Sequence, residues 1–166
     1  MNDLAELYRD MGEHARALPL YERSLAIREK ALGAEHPHVA TSLNNLAGLY
    51  RDMGEYARAL PLYERSLAIR EKALGAGHPH VAASLNNLAL LYQDMGEYAR
   101  ALPLLERSLA IREKALGAEH PHVAASLNNL AVLYQRMGEY TRALPLLQRS
   151  LAIREKALGP EHPAVA

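Results

Sequence analysis

A block of 42 residues is written almost four times in succession, which limits the chain to architectures made by stacking one small unit on the next. Leu46–Asn87 realigns onto Leu88–Asn129 with four changes in 42 positions: Gly48/Leu90, Arg51/Gln93, Tyr63/Leu105 and Gly77/Glu119. Leu4–Asn45 and Leu130–Ala166 fall into the same frame. The 166 residues read as one array, with units at about 1–36, 37–78, 79–120 and 121–162 and a stub of a fifth at 163–166. A unit this small cannot bury an apolar face alone, so its stability comes from its neighbours.

Within the unit the apolar period is helical. From Pro79, the residues Val81, Leu85, Leu88, Leu91 and Tyr92 recur three and four apart and make one stripe. Pro79 suits a first helical position, where the missing N–H is no loss. Met95-Gly96-Glu97 interrupts the pattern, and Gly96 can adopt the left-handed conformation that ends a helix. A second stripe runs through Tyr98, Ala101, Leu102, Leu105, Ser108, Leu109, Ile111 and Leu116 to Gly117. Ala118-Glu119-His120-Pro121 then turns the chain into the next unit. The short connections predict antiparallel helix pairs and an all-α chain. Pro19, Pro61, Pro103 and Pro145 fall inside the second helices, where proline costs about 3 kcal/mol. Each lies about five residues past the turn, so a slight bend is expected and not a break.

Composition removes several functions. Net charge is zero and the isoelectric point about 7.1, which gives no electrostatic footprint for nucleic acid or an anionic membrane. Without cysteine there are no disulfides and no thiolate metal sites. No apolar run approaches a membrane span, and Met1-Asn2-Asp3-Leu4-Ala5-Glu6 lacks the pattern of a secretory leader. A cytoplasmic protein is the expectation. Nothing resembles a nucleophile with an oriented base, so no enzyme, cofactor or metal is expected. His36/His38, His78/His80 and His120/His122 point in different directions at helix starts. The expected role of His120 is to cap the following helix, with His122 facing solvent.

The small and aromatic positions Leu88-Ala89, Tyr92, Gly96, Tyr98, Ala101-Leu102, Leu105 and Ser108-Leu109 resemble the tetratricopeptide signature. The longer unit resembles the 42-residue repeats of kinesin light chains. It carries Ser84-Leu85-Asn86-Asn87-Leu88-Ala89, Ala101-Leu102-Pro103-Leu104, Ile111-Arg112-Glu113-Lys114 and Gly117-Ala118-Glu119-His120-Pro121. The heptad coiled coil of those proteins is missing here, so motor-cargo function does not carry over. The resemblance implies a right-handed superhelical solenoid whose first helices line a concave groove, and a partner that is a protein or peptide.

Candidate groove residues follow. Two asparagines stand mid-helix in each first helix although Asn is a mediocre helix former: Asn44/Asn45, Asn86/Asn87 and Asn128/Asn129. By the family geometry the first of each pair faces the groove, where an amide can read the backbone of an extended peptide. The second either does the same or ties neighbouring helices together. The copies differ most at Glu6/Gly48/Leu90/Val132, Arg9/Arg51/Gln93/Gln135 and Asp10/Asp52/Asp94/Arg136, the first two near the asparagines by helical spacing. Arg51, Leu90, Gln93, Val132 and Gln135 therefore join the candidates, in a groove that turns apolar at Leu90 and Val132. A carboxylate clamp is disfavoured, since only Arg9, Arg51 and Arg136 come near. Arg107, Arg112, Glu113 and Lys114 recur every 42 residues and read as a solvated outer face. The rival to a peptide binder is a structural spacer or self-associating module. Met1 aligns with Leu43 and Ala166 with Ala40, so His162–Ala166 of one molecule is expected to meet the first helix of another, in head-to-tail association.

Overall fold

The computed structural model describes residues 1–159; the expected helical stub at 163–166 and the His162–Ala166 contact lie outside them. Eight helices and no strands occur among the described residues: α1 (Asn2–Asp10), α2 (His14–Leu32), α3 (Pro37–Asp52), α4 (Tyr56–Leu74), α5 (Pro79–Asp94), α6 (Tyr98–Leu116), α7 (Pro121–Arg136) and α8 (Tyr140–Leu158). They form two compact units, Met1–Ala76 with α1–α4 and Gly77–Ala166 with α5–α8.

The boundaries of the first helices α3, α5 and α7 have local causes. At the start of α5, Pro79 takes a first-turn position, and Nδ1 of His78 accepts the backbone N–H of His80 at 3.1 Å. His36 and His120 cap α3 and α7 in the same way, as expected for His120, and His122 is exposed. At the end of α5, Gly96 has φ +76°, which costs a residue without Cβ little. The N–H of Glu97 then reaches back to the Tyr92 carbonyl at 2.8 Å and that of Gly96 to Gln93 at 3.0 Å, satisfying carbonyls the helix leaves open. The prolines do not break the second helices: α6 continues through Pro103 for 19 residues. Pro103 and Ala99, whose carbonyl loses its donor, are both exposed, so solvent replaces the missing bond.

The two helices of a pair cross closely because small residues meet there. In the second unit Ala89, Ala101 and Ser108 have no exposed surface, and Ser108 Oγ donates to the Ala82 carbonyl at 2.8 Å. Ser66 to Ala40 and Ser150 to Ala124 repeat the bond at 2.8 and 2.9 Å. Larger residues fill the space on either side. Val123, Ala124, Leu127 and Ile153 form a buried cluster joined by Leu109 and Leu146, and in the first unit Val39, Ala40, Leu43 and Ile69 are joined by Leu25 and Leu62. Leu25 and Leu109 come from the preceding pair, which is how one repeat completes the core of the next.

A polar strap also spans the turn inside every pair. Arg100 of α6 lies 4.1 Å over the ring of Tyr92, donates to its hydroxyl at 2.5 Å, and bridges to Glu97 at 2.8 Å. Arg16, Arg58 and Arg142 do the same with Tyr8, Tyr50 and Tyr134. The hydroxyls of Tyr50 and Tyr134 further donate to Glu22 and Glu106 of the preceding second helix.

Two predictions come from this packing. Ser108→Ala should lower stability by about 1 kcal/mol, the net value of a buried hydrogen bond. Ser108→Leu should cost roughly 1–3 kcal/mol more by forcing the helices apart. Urea denaturation of the two variants measures both, and equal losses would contradict a close crossing. The second concerns alkaline pH. Burial raises the pKa of Tyr50 and Tyr134 above the ordinary tyrosine value, with their arginines acting in the opposite sense. The folded state thus resists ionisation more than the unfolded one. Its advantage is complete below about pH 10 and is lost as pH rises through the raised folded value. Melting temperature should fall over that range, and less steeply in a Tyr50→Phe, Tyr134→Phe variant.

Candidate ligand-binding face

The first helices of neighbouring pairs share a face within each unit, and side-chain bonds record the contact. In the second unit Asn129 Nδ2 donates to Asn86 Oδ1 at 2.7 Å, tying α7 to α5. In the first, Arg9 Nε of α1 bonds Asp52 Oδ2 of α3 at 2.5 Å, and Arg51 lies 3.7 Å from the same carboxylate. Burial works against the charge of Arg9, but the Asp52 carboxylate outweighs this and raises its pKa.

The predicted site residues divide by burial. Asn44, Asn45, Asn87, Asn128, Asn129, Arg51, Leu90 and Val132 are half-buried, and Gln135 is exposed. Asn86 and Gln93 are not available on the surface, at 8% and 3% exposure. The expectation that the first asparagine of a pair faces outward therefore fails at Asn86. Its oxygen is used by the second asparagine of the next repeat, so the pair acts together across repeats. Gln93 lies beneath the surface, its Nε2 buried without a partner. One of the positions that vary among the copies is thus, at Gln93, an interior one.

Some of the outer charges are also corrected. Arg107 and Lys114 are exposed, but Arg112 is half-buried: its Nη1 donates to Ser126 Oγ at 2.7 Å and to the His122 carbonyl at 3.2 Å, bridging α6 to α7. Burial lowers its pKa. Arg28 repeats the link to Ser42 and His38. Opposite charges also pair between neighbouring repeats, Arg149 with Glu113 at 2.6 Å, Lys72 with Glu35 at 3.2 Å and Lys156 with Glu119 at 3.0 Å. Exposed pairs of this kind contribute little each. The arginine–serine link was legible only as a recurrence every 42 residues, because nothing in the sequence says the serine lies opposite.

Among the described residues no group of three His, Cys, Asp or Glu side chains could hold a metal ion, and no helix is long and apolar enough to cross a membrane. The His120 and His122 rings lie against each other, centroids 5.1 Å apart.

Known proteins share this arrangement. A tetratricopeptide repeat family model matches residues 1–72, 39–114, 80–156 and 122–166. A kinesin light chain-type protein of Podosopora anserina with nearly identical TPR-like repeats is 38% identical, over 99% of this chain and 78% of its own, with a TM-score of 0.84. BtubC (BKLC) from P. vanneervenii is 31% identical over 98% of this chain and 64% of its own, also at 0.84. MamA, at 18% identity, 94% and 77% coverage and a TM-score of 0.65, is similar in fold alone. A comparison with curated proteins gives no match. Helix pairs, capping turns, small-residue crossings and sequence model agree, and the chain belongs to the tetratricopeptide repeat family, with repeats of the kinesin light chain-like kind.

Proposed function

We propose that the chain is a non-catalytic interaction scaffold that binds an extended peptide segment of a partner protein on the face of its first helices. The family is one of protein–protein interaction modules; the peptide and its face are our reading. The observation that carries it is the Asn129–Asn86 bond. Asparagine is unfavourable within a helix, and here its amide is held in place while the residue stays partly exposed. Asn129 spends one N–H on Asn86 and keeps its oxygen and second N–H, which match a peptide group's donor and acceptor. A side chain already fixed loses little entropy when a ligand arrives. Leu90 and Val132, half-buried nearby in sequence, give apolar contact in the second unit. The reading involves no cofactor, metal, nucleic acid or membrane, and places the protein in the cytoplasm.

A second reading, self-association, is favoured by apolar surface on α1 and α8. Leu4 and Leu7 are 46% and 55% exposed, whereas Leu46 and Leu49 at the same repeat positions are buried; Tyr140 and Leu144 are 68% and 57% exposed, where Tyr98 and Leu102 are half-buried. A contact between these faces would be heterologous and would propagate.

Selection from a random peptide library, followed by titration of the captured peptides, separates the two. Asn87→Ala with Asn129→Ala should weaken a captured peptide more than tenfold per folded molecule, about 1.4 kcal/mol, beyond the roughly 1–3 kcal/mol of stability lost by leaving the buried Asn86 oxygen without its donor. A Glu113→Ala, Lys114→Ala control should leave affinity intact. Failure to capture any peptide, together with sedimentation that grows with concentration and is abolished by Leu144→Glu, would favour self-association.

A further inference from the structure

We infer that Arg9, Tyr21, Gly48, Asp52 and Tyr63 form a key that makes the first repeat junction specific to its own two repeats, although the copies are nearly identical. Arg9 leaves α1, bonds Asp52 on α3 at 2.5 Å and lays its guanidinium over Gly48. A Cβ at position 48 would stand 3.1 Å from Nη1, 3.2 Å from Nη2 and 3.3 Å from Cζ, tighter than ordinary contact. Glycine inside a helix costs about 1 kcal/mol against alanine, so its presence there needs a reason. The reason is the room Arg9 occupies. Tyr21 of α2 and Tyr63 of α4, both buried, are within electrostatic reach of the same guanidinium.

In the second unit each of these five positions holds a different residue: Gln93, Leu105, Val132, Arg136 and Leu147. Residues 1–76 and 85–160 differ at only 14 of 76 positions, so changes scattered evenly would seldom fall on every member of one contact set. The replacements are also chemically matched. Where the long charged side chain becomes a shorter neutral amide, the glycine becomes valine, the accepting carboxylate becomes arginine and both tyrosines become leucine. Arg9 above valine would meet two methyl groups where its guanidinium lies and would be pushed from Asp52. Gln93 above glycine would leave a void. The key is independent of the peptide-binding reading, since its members act on one another.

A double-mutant cycle on the full chain tests it. Gly48→Val should lower the urea midpoint, Arg9→Gln should lower it less, and the pair together should recover at least half of the Gly48→Val loss. Strict additivity would overturn the key. Should Gly48→Val not fold, Gly48→Ala runs the same cycle, since its Cβ alone enters the guanidinium's space; there Arg9→Gln should turn a neutral or harmful change into a stabilising one, and no change of sign or size would count against the key. A variant carrying the whole second-unit set (R9Q, Y21L, G48V, D52R, Y63L) should regain the wild-type midpoint. If it is no more stable than Gly48→Val with Arg9→Gln, the three remaining positions are not part of the key.

Discussion

Everything in this fold depends on how closely the two helices of a pair can approach. Alanine and serine at the crossing bring the backbones together, and Ser66, Ser108 and Ser150 each spend their hydroxyl on a carbonyl of the partner helix. That bond satisfies a group which would otherwise be buried without a partner, so the crossing is fixed in register as well as in distance. The larger residues then have defined places. Val123 and Leu127 face Ile153 within the pair, and Leu109 reaches in from the pair before. A bulkier residue at the crossing would move the second helix, and with it the surface that the next pair needs.

Polar groups set the angles that apolar packing leaves open. The arginine–tyrosine–glutamate strap holds the turn within a pair, and the tyrosine hydroxyl extends it to the preceding second helix at Glu22 and Glu106. The arginine–serine link acts at the opposite end of the helices, Arg112 reaching Ser126 as Arg28 reaches Ser42. Two separated ties resist rotation better than one. Glu113–Arg149 and Lys156–Glu119 add pairs on the outside, where water and salt screen them and they contribute less.

Helix limits were legible in the sequence because proline, histidine and glycine act on their own backbone. Pro79 and Gly96 each decide the conformation of one or two residues, and no distant contact overrides them. The histidine cap at His120 was legible for the same reason: donor and acceptor are two residues apart. The face was harder to read. Whether Asn86 is open or covered depends on Asn129, 43 residues away, one position beyond the repeat length. A helical wheel of α5 alone cannot contain that neighbour. Arg112 was misread as a solvated charge on the same account, since its serine lies on the next repeat. The strap was missed because tyrosine and arginine belong to different helices, eight residues apart across a turn.

Differences among near-identical copies therefore have two sources, and the structure separates them. Glu6, Gly48, Leu90 and Val132 occupy one repeat position, yet Gly48 is buried against Arg9 while Leu90 and Val132 stay partly exposed. Gln93 and Gln135 also share a position; one is buried and the other exposed. Reading all such variation as a signature of the ligand would count packing twice, once as stability and once as recognition. The residues that packing does not account for are fewer. In the second unit they are Asn128, Gln135, Leu90 and Val132, which carry both donors and acceptors and some apolar area. On the proposed reading, that composition suits the donors and acceptors of an extended backbone better than a charged or metal-bearing ligand.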